Sequence, residues 1–180
     1  MGGAEYMKSI KKYETIINEA LRSALEYDTP EGQINEFISF FGKHIGSDRI
    51  YIFEDDEEHH VTNNTYEWCT EGITPQIEHL QGVNMEVIDW WYDTFDEGKS
   101  VIISDVEELK GVHQVSYNML KYQNVRKVVV SPLRHKGQIK GFFGVDNPPA
   151  VDYSALTMFL DMIGTMLISL LKIRNTFQKE

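Results

Sequence analysis

Arg126-Lys127-Val128-Val129-Val130-Ser131-Pro132-Leu133-Arg134-His135-Lys136-Gly137-Gln138-Ile139-Lys140-Gly141-Phe142-Phe143-Gly144-Val145-Asp146-Asn147-Pro148 is the stretch that decides how this chain folds. Val128 to Leu133 and Ile139 to Val145 are rich in β-branched and aromatic residues, and Arg134-His135-Lys136-Gly137 between them has the composition of a tight turn. The stretch predicts two paired strands with a proline-marked exit at Asp146-Asn147-Pro148-Pro149. Apolar residues follow one another without alternation at Val128 to Val130 and at Phe142 to Val145, so both faces of the sheet need cover.

Working outward, Ile10, Tyr13, Ile17, Ala20, Leu21 and Ala24 recur at helical spacing and predict a long amphipathic helix over Glu5 to Tyr27. Thr29 can cap a second helix with Pro30 at its first position; Ile34, Phe37, Ile38 and Phe41 form its stripe and Gly46 its stop. Arg49 to Phe53 and Val61 to Thr70 read as strands, which leaves the seven residues Glu54 to His60 as an exposed hairpin loop. Gly72 to Gly82 is irregular. Met85, Ile88, Trp91 and Phe95 then mark a short helix ending near Gly98, Val101 to Ile103 a third strand, and Gln114 the start of another helix. Asp152 or Ser154 can cap a last helix through Phe177, which would continue as a connector toward Glu180.

That last helix carries Leu156, Phe159, Ile163, Met166 and Leu170, with Met158, Met162 and Ile168 widening the stripe to two faces that need two partners. One face can cover the sheet. The other can pair with the first helix or with a second subunit, so a homodimer through the terminal helices is expected, with Ile10 and Ile17 of the first helix contributing. If these helices cover one side of the sheet, the segment from Gly72 to Tyr122 must cover the other, and a partly irregular cover over a curved sheet makes a pocket.

Composition limits the function. Of 180 residues, 17 are basic and 28 acidic; the resulting charge of −11 disfavours nucleic acid and anionic membranes as partners. The single cysteine, Cys69, cannot form an internal disulfide, no Cys/His spacing suits structural zinc, and no signal peptide is apparent, which together point to the cytoplasm. The longest apolar run, ten residues between Asp161 and Lys172, is short of the roughly 20 that span a bilayer. No nucleophile elbow, phosphate loop, zinc-protease helix or dinucleotide turn occurs, so enzymatic activity is not expected.

The order helix, strand hairpin, cover, strand hairpin and long exit helix resembles a GAF domain over nearly the whole chain. Ser100-Val101-Ile102-Ile103-Ser104-Asp105-Val106 resembles that family's strand ending in an acidic residue, Asn124 to Leu133 its approach to a Ser-Pro-Leu strand, and Gly137 to Pro148 its return strand. The resemblance implies an α+β, PAS-related fold over residues 1–180: terminal helices within 5–45 and 152–177, and between them, in 49–148, an antiparallel sheet of about five to six strands and its cover. It further implies a regulatory module of bacterial signalling that senses a small molecule and acts on an attached output domain, such as a cyclic-dinucleotide synthase, a phosphodiesterase or a histidine kinase. A ligand-free module that only pairs output domains is the alternative. The relatives that reduce methionine sulfoxide use several cysteines and those that bind bilins use one in the cover region; Cys69 fits neither, and no recognisable cyclic-nucleotide signature is present. No cofactor or metal is expected.

The candidate ligand-binding residues are Trp68, Trp91, Asp105, His113, Tyr117 and Phe143. Trp68, Trp90, Trp91, Tyr117 and Phe143 either line a pocket or fill the core. Asp105 either accepts a hydrogen bond from a ligand or caps the next turn, and Asp146 and Asn147 carry the same ambiguity. His113 either ligates a haem iron or binds an anion, or is an ordinary solvated or core-satisfied histidine. His59-His60, beside a run of acids, reads as a solvated hairpin tip.

Overall fold

In the computed structural model, which describes residues 2–149 and 152–179, the hairpin over Arg126–Pro148 forms at the expected place. Strand β5 (Val128–His135) pairs antiparallel with β6 (Gln138–Asp146) around a two-residue turn, Lys136-Gly137, left-handed at both positions as such hairpins require. Preceding it are α1 (Gly2–Ala24), α2 (Pro30–Ile45), β1 (Arg49–Asp56), β2 (Val61–Cys69), β3 (Val83–Asn84), α3 (Asp89–Asp96), β4 (Val101–Ile103) and α4 (Gln114–Tyr122); α5 (Tyr153–Phe177) follows. The six strands form one antiparallel sheet in the order β3-β2-β1-β6-β5-β4. This is the α+β architecture expected from the sequence.

Helix starts follow capping chemistry. The Thr29 hydroxyl accepts from Gly32 N–H with Pro30 in the first turn, and the Asp152 carboxylate accepts from Ala155 N–H. The first helix begins and ends three residues earlier than its stripe predicts, at Gly2 and Ala24. A larger correction concerns Glu54 to His60. The strand continues to Asp56 because its acidic residues have partners on both faces: Glu54 meets Arg174 of α5, and Asp55 accepts from the Tyr92 hydroxyl at 2.7 Å. Only the tip from Glu57 to His60 turns, with the His59 ring on Asp56 at 2.7 Å.

Two cores sit on opposite faces of the sheet. On one, α1, α2 and α5 bury Ile34, Phe37, Phe41, Leu156, Leu160 and Leu167 against Ile50, Ile52, Phe143 and Val145. On the other, the cover buries Ile88, Trp91, Phe95, Val106 and Leu120 against Tyr51, Phe53, Val130 and Phe142. By length and composition α5 is apolar enough to cross a membrane, but its inward stripe is consumed by this packing.

Candidate functional site

Between the sheet and its cover lies a cavity of about 40 Å³, room for no more than a few water molecules. Arg49, Tyr51 and Phe53 of β1 and Phe142 and Asp146 of β6 form its floor; Leu80, Val83, Ile88, Trp91, Met119, Leu120 and Gln123 close it from the cover side. The floor follows from strand alternation, since Arg49, Tyr51 and Phe53 share one face and stand opposite Asp146, Gly144 and Phe142. Gly144 has no side chain because the Tyr51 ring occupies that space: a Cβ there would sit 2.2 Å from Tyr51 Cε2. The walls are aromatic. Phe53 stacks on Phe142 at 4.7 Å, and Trp91 meets Phe142 edge-on at 5.6 Å.

One end of the cavity is ionic. Arg49 donates from Nη1 to Asp146 Oδ2 at 2.7 Å and from Nη2 to the Thr74 carbonyl at 2.9 Å. Its Nε faces Glu67 Oε2 at 3.4 Å without a hydrogen bond, while the Glu67 carboxylate accepts from the backbone N–H groups of Gln76 and Ile77. Arg49 and Asp146 are 3 % and 2 % exposed. Asp146 Oδ1 and Trp91 Nε1, both buried, lack partners within the described residues; such groups are uncommon in native proteins and each calls for an explanation.

Burial raises the Asp146 carboxyl from 3.8 to about 6, against the pull of Arg49. Burial, and then the charge of Asp146, hold the Tyr51 phenol well above its ordinary range. A carboxyl titrating higher folded than unfolded favours the fold while protonated. That contribution is complete below the unfolded value of about 3.8 and is lost as pH rises through about 6. Denaturant unfolding of wild type and Asp146→Asn across this window should therefore show wild type losing up to about 3 kcal/mol relative to the variant between pH 4 and 7. A relative gain would mean that Arg49 outweighs burial.

Of the six candidate ligand-binding residues only Trp91 lines the cavity, joined by Asp146, which the sequence left between ligand acceptor and turn residue. Phe143 faces the helices, and its neighbour Phe142 holds the cavity position. Trp68 also lies on the helix side, packed over Gly42, because β2 carries an extra residue: pairing jumps from Tyr66 opposite Ile52 to Asn64 opposite Phe53, skipping Thr65. Asp105 caps the turn after β4 by accepting from Glu107 N–H. Asn147 does not cap its own turn but ties the exit of β6 to the lead-in of β5, accepting from the N–H groups of Arg126 and Lys127. His113 stacks on Trp90 at 4.3 Å in an open groove between α3 and α4, and the Tyr117 hydroxyl donates to Glu107 on the surface. Among the described residues no cluster of three or more His, Cys, Asp or Glu side chains is arranged to hold a metal. Sequence reading missed Arg49, Tyr51 and Glu67; the available signal was a basic residue opening a strand otherwise made of Ile, Tyr and Phe.

No protein-family model matches this sequence, and no curated protein matches it. Solved structures do, at the level of fold. The phycocyanobilin-bound GAF domain of a cyanobacterial phytochrome superposes with a TM-score of 0.69 at 16% identity, covering 93% of this chain and 97% of its own. The GAF domain of a phosphoenolpyruvate-protein phosphotransferase from Coxiella burnetii gives 0.69 at 9%, covering 95% and 99%. The free methionine-R-sulfoxide reductase of Neisseria meningitidis, solved with its substrate, gives 0.67 at 11%, covering 93% and 92%. The chain has the GAF fold.

Proposed function

We propose that this chain is a cytoplasmic sensory GAF domain that binds a small molecule between sheet and cover and passes occupancy through its terminal helices to an output domain. The observation that carries this reading is the cavity itself, a mostly apolar space lined by Arg49, Asp146 and Trp91, each with a buried polar atom that lacks a hydrogen bond. Two of the similar structures hold a small molecule, a bilin in one and the reductase's substrate in the other. At about 40 Å³ the space here suits something far smaller than a bilin unless the cover moves.

Transmission has a physical route. Phe53 lines the cavity, and the next residue, Glu54, points to the other face, where Arg174 of α5 grips it with two hydrogen bonds of 2.6 and 2.9 Å. Arg174 also donates to the Tyr66 hydroxyl at 3.2 Å. A shift of β1 on binding is thereby passed to the end of the last helix.

Catalysis is not part of the proposal. Cys69 is the chain's single cysteine, and burial, with the charge of Glu67 next, raises its thiol above the ordinary range, which disfavours the reactive thiolate. A scaffold role is favoured by a different observation. Met158, Met162, Ile173 and Phe177 form an exposed stripe on α5, with Met7 and Leu21 exposed on α1 and Leu25 just beyond its end. Leu156, Phe159 and Ile163 are consumed in the core, so a dimer would use this outer stripe instead.

Thermal melting over a metabolite panel separates the two readings. A true ligand at 100 times its Kd should stabilise by about 2.7 kcal/mol, on the order of 5–10 °C for a chain of this size. Uniform null results with a stable dimer by light scattering would favour the scaffold.

A further inference from the structure

The polar end of the cavity has an unbalanced charge count. Arg49 contributes one positive charge; Asp146 and Glu67, whose side chains are each 3 % exposed, contribute two negative ones. Glu67 is served by two backbone N–H groups and faces the guanidinium. Arg49 has committed Nη1 to Asp146 and Nη2 to Thr74, and its remaining Nε, without a hydrogen bond, is turned to Glu67 at 3.4 Å, so an anionic ligand would have to compete with carboxylates already on the guanidinium. What remains without a hydrogen bond is Asp146 Oδ1, a buried carboxylate oxygen that can only accept, on a carboxyl that the Tyr51 phenol also faces. Tyr51, Phe53, Trp91 and Phe142 stand around the same space, and aromatic faces attract cations when water is excluded. The chain's overall charge of −11 raises the local concentration of cations and lowers that of anions.

We propose that the cavity is selective for a small organic ammonium ion, with its N–H groups on Asp146 Oδ1 and its carbon skeleton against the aromatic walls. This rests on the reading of the cavity as a ligand site. The ammonium restores charge balance to a buried cluster that otherwise holds one uncompensated carboxylate. A hydroxyl or ether oxygen on the same molecule would also suit the Trp91 indole N–H, which is likewise unpaired in the wall.

Three probes of similar size differ mainly in charge: 2-hydroxyethylammonium, ethylene glycol and glycolate. Each is titrated into the 15N-labelled full chain while the Trp91 indole N–H resonance is followed. The ammonium should shift that resonance saturably and bind at least tenfold more tightly than the glycol, with no saturable shift from glycolate. Asp146→Asn should weaken it at least tenfold. Wild-type protein supplies an independent readout if that variant fails to fold. Asp146 faces Arg49 and Tyr51 of β1 and Glu67 and Cys69 of β2, and its titration near pH 6 should weaken ammonium binding about tenfold between pH 7 and 5. Equal or tighter binding of glycol or glycolate overturns the cation selectivity and leaves the ligand site standing. So does silence from all three probes when the metabolite panel yields a neutral or anionic ligand. Silence from the probes and the panel together overturns both.

Discussion

Arg49→Met is expected to destabilise the fold by about 3–5 kcal/mol, the usual cost of removing one partner from a buried ion pair. The guanidinium is almost fully buried between Asp146 and Glu67 and also donates to the Thr74 carbonyl. Its loss leaves two carboxylates in a poorly solvated site with no cation, and methionine fills most of the volume, so the effect reports charge more than packing. Adding Asp146→Asn should recover part of the loss, because one of the stranded charges disappears with it. Urea unfolding of the single and double variants measures both numbers. Wild-type stability in Arg49→Met would show that Arg49 does not hold this cluster together.

Gly141→Ala should be comparably damaging, at about 3–5 kcal/mol, for a reason that involves no charge. Gly141 sits at φ +147, a conformation that residues with a Cβ rarely adopt, in the strand register opposite Glu54. A Cβ there would lie 1.9 Å from the Phe53 carbonyl oxygen, a backbone atom that cannot rotate away. The two strands would have to separate at Phe53, where β1 lines the cavity on one face and reaches Arg174 on the other through Glu54. Thermal unfolding should show a fall of roughly 10 °C or more. A change of one or two degrees would mean that β1 and β6 are not paired as described here.

Most of the architecture was legible because it depends on local chemistry. Thr29-Pro30, Gly46 and Asp152 act through neighbours within a few residues, and the hairpin turn lies between two unmistakable apolar runs. The cavity floor was not legible, because it depends on strand parity. Phe142 and Phe143 are chemically identical, and the run from Phe142 to Val145 is buried on both faces with no polar residue inside it to mark which side is which. The extra residue Thr65 defeats counting in the same way at Trp68. Arg49 and Asp146 are 97 positions apart and stand opposite each other only through the β1–β6 register. Each alone read as a strand start or a turn residue. Asp105, by contrast, does what its local sequence suggests, which is to cap a turn.

Native mass spectrometry of gently purified protein tests the ligand site most directly. A noncovalent adduct of low molecular mass should appear at one per chain, disappear on denaturation, and be absent or much reduced in Asp146→Asn. A protein that flies without any adduct, and gains none when incubated with the metabolites that the melting panel screens, would contradict a ligand site between sheet and cover.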